Sequence, residues 1–574
     1  MKERVFAALL VLLEIAAVCV FTAKAQEPAY GGTVVVAITG DPGGLNPSIT
    51  TQGGVHLVCG SIFSGLVAQD FDLNAVPDLA TNWDVSPDGR TYTFHLAPNA
   101  EFHDGVPVTS EDVRYTFEEL LLKFHSRTRA SIGDRLNRIV TPDAHTVVFE
   151  FNKPYAAFLQ LIDVTNAPVM PKHLFANTDP MTNPHNTKPI GSGAFKFQEW
   201  AKGDRITLVR NDKYFKPGKP YLDRIVYKVM PSAATAAIAF ENGEADYFLN
   251  PTPLDVERLN KLPDVVITEK GREGFAGVET VVLNLNATPL SDIRVRRAMA
   301  FAIDKNYIVE KIAFGKGTVA TGPISSQLKW AHNPNVSKYE RDLARAEQLL
   351  DDAGYERGAD GIRFHLKYVY ASSYAKVAEV LRDQLRDAGI AVDLEQMEFN
   401  AAVDRVYLKK DFDLGFASFE NGPDPDIGVK RTVVSSNIGA IPFSNGASYR
   451  NPRVDELFDL AASETDRAKR AAYYFQAQEI LATELPYLWL YEPQSSSAYK
   501  SGLQGMYVWS AKSSVYFAQD AWWLDVDRAK GSSSAINGQR RIYFLLAIGG
   551  IVLIMAMAFA LRRKRRRSRA HTAV

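Results

Sequence analysis

From Val34 onward the apolar residues switch repeatedly between the two-residue period of a strand and the wider period of a helix, which restricts the chain to mixed α/β folds. Val34–Ile38, Thr91–Leu96, Val147–Phe151, Ile206–Val209, Ile225–Val229 and Val281–Leu285 read as strands. Beyond them helices become frequent. Arg296–Ile303 follows a capping Asp292, Asp342–Ala353 ends at Gly354, and a stripe of Val377, Val380, Leu381, Gln384 and Leu385 stops at Gly389. Ile390–Leu394 and Phe412–Phe416 are further strands, and Arg467–Thr483 is a long helix before Pro486. The change from a strand-rich to a helix-rich half near Val281 marks a domain boundary. The apolar strand at Tyr487 is expected to carry the chain back to the first domain. These stripes read as core faces.

At 574 residues the chain has room for two or three domains, and 46% hydrophobic with 23% charged residues is a globular composition. The body, 26–536, holds 53 basic and 64 acidic residues, a net of −11, which argues against nucleic acid as a partner. The two ends differ from it. Lys2 and Arg4, a run from Phe6 to Phe21 that is apolar apart from Glu14, and Ala23-Lys24-Ala25 before Gln26 read as a signal peptide over 1–25. Val18 before Cys19 does not suit lipid modification. After cleavage Cys59 is the sole cysteine, so no internal disulfide or cysteine-rich zinc site can form. Residues 531–541 read as a linker, 542–561 as twenty uncharged residues that can span a bilayer, and 562–574 as a basic cytoplasmic tail opening with six consecutive Lys/Arg. The expectation is a single-pass membrane protein, with the body outside the cytoplasm and the basic tail inside.

Catalytic spacing is scarce. The sequence has no Gly-x-Ser-x-Gly elbow, no His-Glu-x-x-His, and no phosphate loop, since Gly315-Lys316-Gly317-Thr318 lacks the upstream glycine. His103-Asp104 reads as a turn with a satisfied histidine rather than as a ligand pair. No cofactor, metal or enzymatic activity is expected.

Several phrases in order resemble one family. They are Asp41-Pro42-Gly43-Gly44-Leu45-Asn46-Pro47, Pro77-Asp78-Leu79-Ala80-Thr81-Asn82-Trp83 and Ser86-Pro87-Asp88-Gly89-Arg90-Thr91-Tyr92-Thr93-Phe94. Phe102-His103-Asp104-Gly105 through Val113, Gly191-Ser192-Gly193-Ala194-Phe195, Arg210-Asn211-Asp212-Lys213-Tyr214-Phe215, Asp292-Ile293-Arg294-Val295-Arg296-Arg297-Ala298 and Pro423-Asp424-Pro425-Asp426 complete the set. Together they resemble the extracellular solute-binding proteins of the peptide/nickel/opine class (family 5), which serve ABC importers. The resemblance implies a two-lobed periplasmic-binding-protein fold, type II-like and of the large peptide-binding class. Lobe I would be 26–282 with a returning segment 488–530, and lobe II 283–487. It implies a monomer that captures a small solute, in the first instance a peptide, and delivers it to ABC permease subunits by hinge closure.

Three places are expected to meet ligand. Gln52-Gly53-Gly54 matches a loop where relatives present backbone to ligand, or is a plain turn. In Phe419-Glu420-Asn421-Gly422-Pro423-Asp424, relatives place an acid upstream of the Asp-Pro pair to take the ligand's ammonium. This stretch is longer here, so either Glu420 or Asn421 falls at that position, and only Glu420 carries charge. Asp424 and Asp426 read first as turn or helix caps. Tyr370, Tyr374 and Lys376 lie where relatives hold a carboxylate, with Lys376 either an anion partner or a solvated lysine. Trp330 and Trp509 line the cleft or pack in a core. Other readings are a binder of an opine, sugar or metal chelate on the same scaffold, a membrane-tethered sensor, and an enzyme.

Overall fold

The computed structural model describes residues 28–525 except 71–72, 231, 271–276, 495 and 507–517. The segments expected to be a signal peptide, a linker, a membrane span and a basic tail, and Trp509, lie outside the described residues. Among those described, no helix is long and apolar enough to cross a membrane. Thr33–Trp522 forms one compact unit, and the flanking described residues, 28–32 and 523–525, fall outside it.

Three large sheets organise that unit. The seven-stranded sheet runs in the order Val265–Thr268, Ser497–Lys500, Tyr247–Leu249, Thr33–Ile38, Arg224–Val229, Arg205–Arg210, Phe195–Ala201. Its centre is Thr33–Ile38, parallel to both neighbours. That placement explains the unbroken Val34–Ile38 apolar run, because a central strand is covered on both faces.

The second sheet is four-stranded and antiparallel, in the order Ala80–Val85, Thr91–Leu96, Thr146–Phe151, Leu136–Asp143. Alternation in Thr91–Leu96 buries Tyr92, Phe94 and Leu96. Phe149 meets Phe94, Phe117 and Phe158 edge-on, with centroids 5.8, 4.9 and 5.0 Å away. Such pairs add about 0.5–1.5 kcal/mol each beyond area burial.

The six-stranded sheet has the order Gly317–Val319, Tyr487–Pro493, Gly277–Leu283, Leu414–Glu420, Phe364–Ala371, Ile390–Met397. The last two are parallel and joined through helix Ala375–Asp387, which buries Val377, Ala378, Leu381 and Leu385 on one face. Its end is set by Gly389 at φ +84°. Asp292 caps its helix as expected, accepting from Arg294 N, and Asp342, read as the first helical residue, instead caps Leu343–Asp352 by accepting from Arg345 N.

Sheet membership corrects one expectation. The strand at Tyr487 does not return to the first sheet, because it pairs with Gly277–Leu283 and Gly317–Val319. The return is made by Ser497–Lys500, which joins Tyr247–Leu249 and Val265–Thr268. The boundaries placed at 282/283 and 487/488 therefore fall inside two neighbouring strands of the six-stranded sheet. An apolar strand looks the same locally whichever sheet it enters.

The four- and six-stranded sheets also share packing. Ala130 belongs to the core of the six-stranded sheet, whereas Ile427 and Ala462 belong to that of the four-stranded sheet. Cys59 is buried, and burial pushes its thiol well up.

Candidate functional site

The site assembles where loops of the first sheet meet loops of the six-stranded sheet. Gln52 ends an extended segment, and Gly53 and Gly54 form the exposed first turn of helix Gly53–Cys59, so they are neither loop nor plain turn. The Gln52 amide accepts from Gly43 N at 3.1 Å and donates to Asn400 Oδ1 at 3.4 Å. Asn400 stands on helix Phe399–Val403, directly after the last strand of the six-stranded sheet. A cleft of about 530 Å³ opens here, lined among others by Gly43, Gln52, Asn186, Phe399, Asn400 and Phe443.

Glu420 ends strand Leu414–Glu420, and strand alternation decides its role. Phe419 points to the opposite face, where its ring packs against Tyr487 (5.8 Å) and under the Arg431 guanidinium (5.5 Å). Glu420 instead faces the helix carrying Arg127 and the turn at Gly53. Its Oε2 pairs with Arg127 Nη2 at 3.3 Å, while Oε1 lies 4.0 Å from where a Cβ on Gly53 would sit. The Arg127 side chain is 5% exposed and that of Glu420 34% exposed. One carboxylate oxygen is thus tied to a buried cation and the other is directed at an exposed glycine turn.

The surroundings hold that arrangement. Arg127 lies on helix Ser126–Ile132, capped by His125, and its Nη1 donates to Asn166 Oδ1 at 3.4 Å. Asn166 is fixed by Asp163, whose carboxyl is pushed up to about 7, chiefly by burial. Arg431 donates to Thr51 Oγ1 (2.9 Å) and to the Phe443 carbonyl (3.0 Å), giving a third bridge between the sheets beside Gln52–Asn400 and Arg127–Glu420. His56 stacks edge-on against His125 at 6.1 Å and bonds the Thr50 carbonyl. Burial, then the Arg127 charge, depresses His56 to about 3, so it is neutral at physiological pH. These residues form a charged, solvent-poor clamp suited to holding a polar ligand.

The remaining expected residues are dispersed. Asn421 is buried and structural, accepting from Ser325 N (2.5 Å) and donating to the Pro323 carbonyl (3.0 Å). Asp424 caps a short helix through Asp426 N (3.0 Å) and receives Arg470 Nη2 at 2.9 and 2.8 Å. Asp426 is also buried and pairs with Lys430 at 3.3 Å. Tyr370 packs against Tyr368 in the core of the six-stranded sheet. The Lys376 side chain is 78% exposed beside Glu379, the solvated alternative. Trp330 packs under Arg467 and Arg470 and against Tyr474, the core alternative. Both ring nitrogens of His103 meet backbone, Gly193 O at 3.1 Å and Gly191 N at 3.3 Å, and burial depresses the ring to about 4. Sequence reading missed Arg127, Arg431, Thr51 and Asn400. Their partners lie 293, 380 and 348 positions away, and no local pattern marks such pairs.

Comparison with known proteins adds to this geometry. Residues 74–439 match the family described as bacterial extracellular solute-binding proteins, family 5 Middle. The oligopeptide-binding protein AppA of Bacillus subtilis is 30% identical over 523 residues, covering 87% of this chain and 93% of that protein. The solved structure of AppA with a nonapeptide superposes with a TM-score of 0.78 at 28% identity, covering 87% of this chain and 100% of that one. The periplasmic binding protein DppA of Helicobacter pylori, solved with the peptide STSA, gives 0.76 at 27% identity, covering 87% and 99%.

Proposed function

Because the chain belongs to the bacterial extracellular solute-binding proteins of family 5, we propose that it is the substrate-binding component of an ABC importer and that its ligand is a peptide. The observation that carries this reading is the split role of the Glu420 carboxylate. Oε2 is neutralised by Arg127, and Oε1 faces the exposed Gly53 turn across the cleft. A ligand α-ammonium placed there meets a carboxylate on one side and backbone on the other. In a water-poor cleft a charge-assisted hydrogen bond of that kind is worth about 1.5–3 kcal/mol.

The two bodies that close on the ligand would be the seven- and four-stranded sheets on one side and the six-stranded sheet on the other. In chain order the six-stranded sheet is entered at strand Gly277–Leu283, after Val265–Thr268 of the first sheet, and left after Tyr487–Pro493 for Ser497–Lys500. Ligand touching both Gly53 and Glu420 favours the closed state over the open one, and the transport cycle is that population shift. No bond is made or broken. Native mass spectrometry of the protein as isolated tests the reading.

The sequence of residues 542–574 supports a C-terminal tether, with the body outside the cytoplasmic membrane and the basic tail inside. A tether of this kind raises the effective concentration of the binding protein at its permease. The intact mass of protein extracted from membranes should include the residues through 574. A mass ending near residue 537 would exclude the tether.

A further inference from the structure

The cleft face of the six-stranded sheet carries a second carboxylate. In the antiparallel register Glu279 stands opposite Ser418 on one neighbour and Tyr491 on the other, and Gly277 stands opposite Glu420. Glu279 and Glu420 therefore share a face, one diagonal apart, about 7–8 Å between Cα atoms. The alternate residues Val278 and Thr280 point the other way, into a small internal cavity with Phe419 and Tyr487.

That face leads to the ligand cleft. Ser418 is exposed, and Glu279, Tyr374 and Tyr491 are partly exposed. The Tyr374 ring packs on Phe416 at 4.8 Å, and Phe416 packs on Phe399 at 5.7 Å; Phe399 itself lines the cleft beside Gln52 and Asn400. Tyr368, Tyr374 and Tyr491 stand close enough for the Glu279 charge to raise their hydroxyls, after the larger effect of burial. Among the described residues no lysine or arginine pairs with Glu279. Burial pushes its carboxyl up to about 7, and the Ser418 hydroxyl pulls it partly back. Among the described residues Glu420 has its protein cation in Arg127, whereas Glu279 pairs with none.

Resting on the peptide reading above, we propose that Glu279 forms a subsite for a cationic side chain and that the protein selects peptides beginning with lysine or arginine. The α-ammonium sits at Glu420, and the four-carbon stem of a first-residue lysine spans the diagonal to Glu279. The stem runs over phenol rings, which favour a cation above their faces. A neutral first residue leaves the Glu279 carboxyl facing the aromatic groups with the Ser418 hydroxyl but no cation, so discrimination comes from that cost as well as from the new ion pair.

The test is calorimetry on the full-length protein with alanine-based peptides of three, five and nine residues, each made with lysine or with norleucine first. The wild type should bind the lysine form about tenfold or more tightly, the equivalent of one charged hydrogen bond. Glu279→Gln should reduce that preference to less than about threefold, chiefly by weakening the lysine form. Glu279→Asp, which keeps the charge, should retain part of it and covers the case in which the glutamine variant folds poorly. Equal affinity of the wild type for both forms, or a preference that survives in Glu279→Gln, would overturn the subsite while leaving peptide binding intact. Binding of neither form would remove the peptide reading and the subsite together.

Discussion

Glu420→Gln is expected to lower affinity for a free-amine peptide by about 10- to 150-fold, the range of a lost charged hydrogen bond. The upper half is expected, because the substitution also removes the counterion of Arg127. The ligand ammonium would then approach a buried guanidinium without its carboxylate, since Arg127 sits 3.3 Å from Glu420 with 5% of its side chain exposed. An N-acetylated peptide should bind wild type and variant alike, because it carries no charge for Glu420 to hold. Stability should also fall, by about 1–3 kcal/mol. That is less than the ~3–5 kcal/mol of a fully buried broken pair, because Glu420 retains 34% side-chain exposure. Titration of both peptides against both proteins separates the effects. If free and acetylated peptides lost affinity equally in the variant, Glu420 would be a structural residue and not the ammonium site.

Asp424→Ala should have the largest effect on folding. Asp424 is buried and receives Arg470 Nη2 through both oxygens, the Tyr474 hydroxyl at 3.1 Å and the Asp426 amide. Removing it leaves the Arg470 charge buried over the Trp330 ring at 5.2 Å, a loss of about 3–5 kcal/mol. The midpoint of denaturant unfolding should drop accordingly. The double variant Asp424→Ala/Arg470→Met should recover much of that loss, because replacing both partners by apolar groups leaves no orphan charge. A single variant as stable as wild type would show that the pair is not buried in solution. Ligand affinity should fall less than in Glu420→Gln, since Asp424 only holds the loop that follows Glu420.

The two predictions also mark what could be read from the chain before folding. Element identity was legible wherever the signal is local. Asp292 caps a helix, Gly354 and Gly389 end helices, and Thr91–Leu96 alternates because one face is core. The choice between Glu420 and Asn421 was also present locally. Strand phase sends Phe419 and Asn421 inward and Glu420 to the opposite face, toward Arg127 and the Gly53 turn. Long-range pairing was not legible. The sheet entered by Tyr487–Pro493 depends on Gly277–Leu283, more than 200 positions earlier in numbering. Arg127 reads as one cation of a basic stretch until the fold sets it beside Glu420. Glu279 looks like an ordinary polar residue in a strand until its register with Ser418 and Tyr491 is known.

Peptide capture is the claim on which the rest depends, and native mass spectrometry of the protein purified gently from its own cells tests it most directly. The account predicts a bound mass that is released on denaturation and fragments into amino-acid residues, with lysine or arginine frequent at the first position. A released species that yields no amino-acid fragments would contradict it, leaving the solute-binding fold with a different ligand.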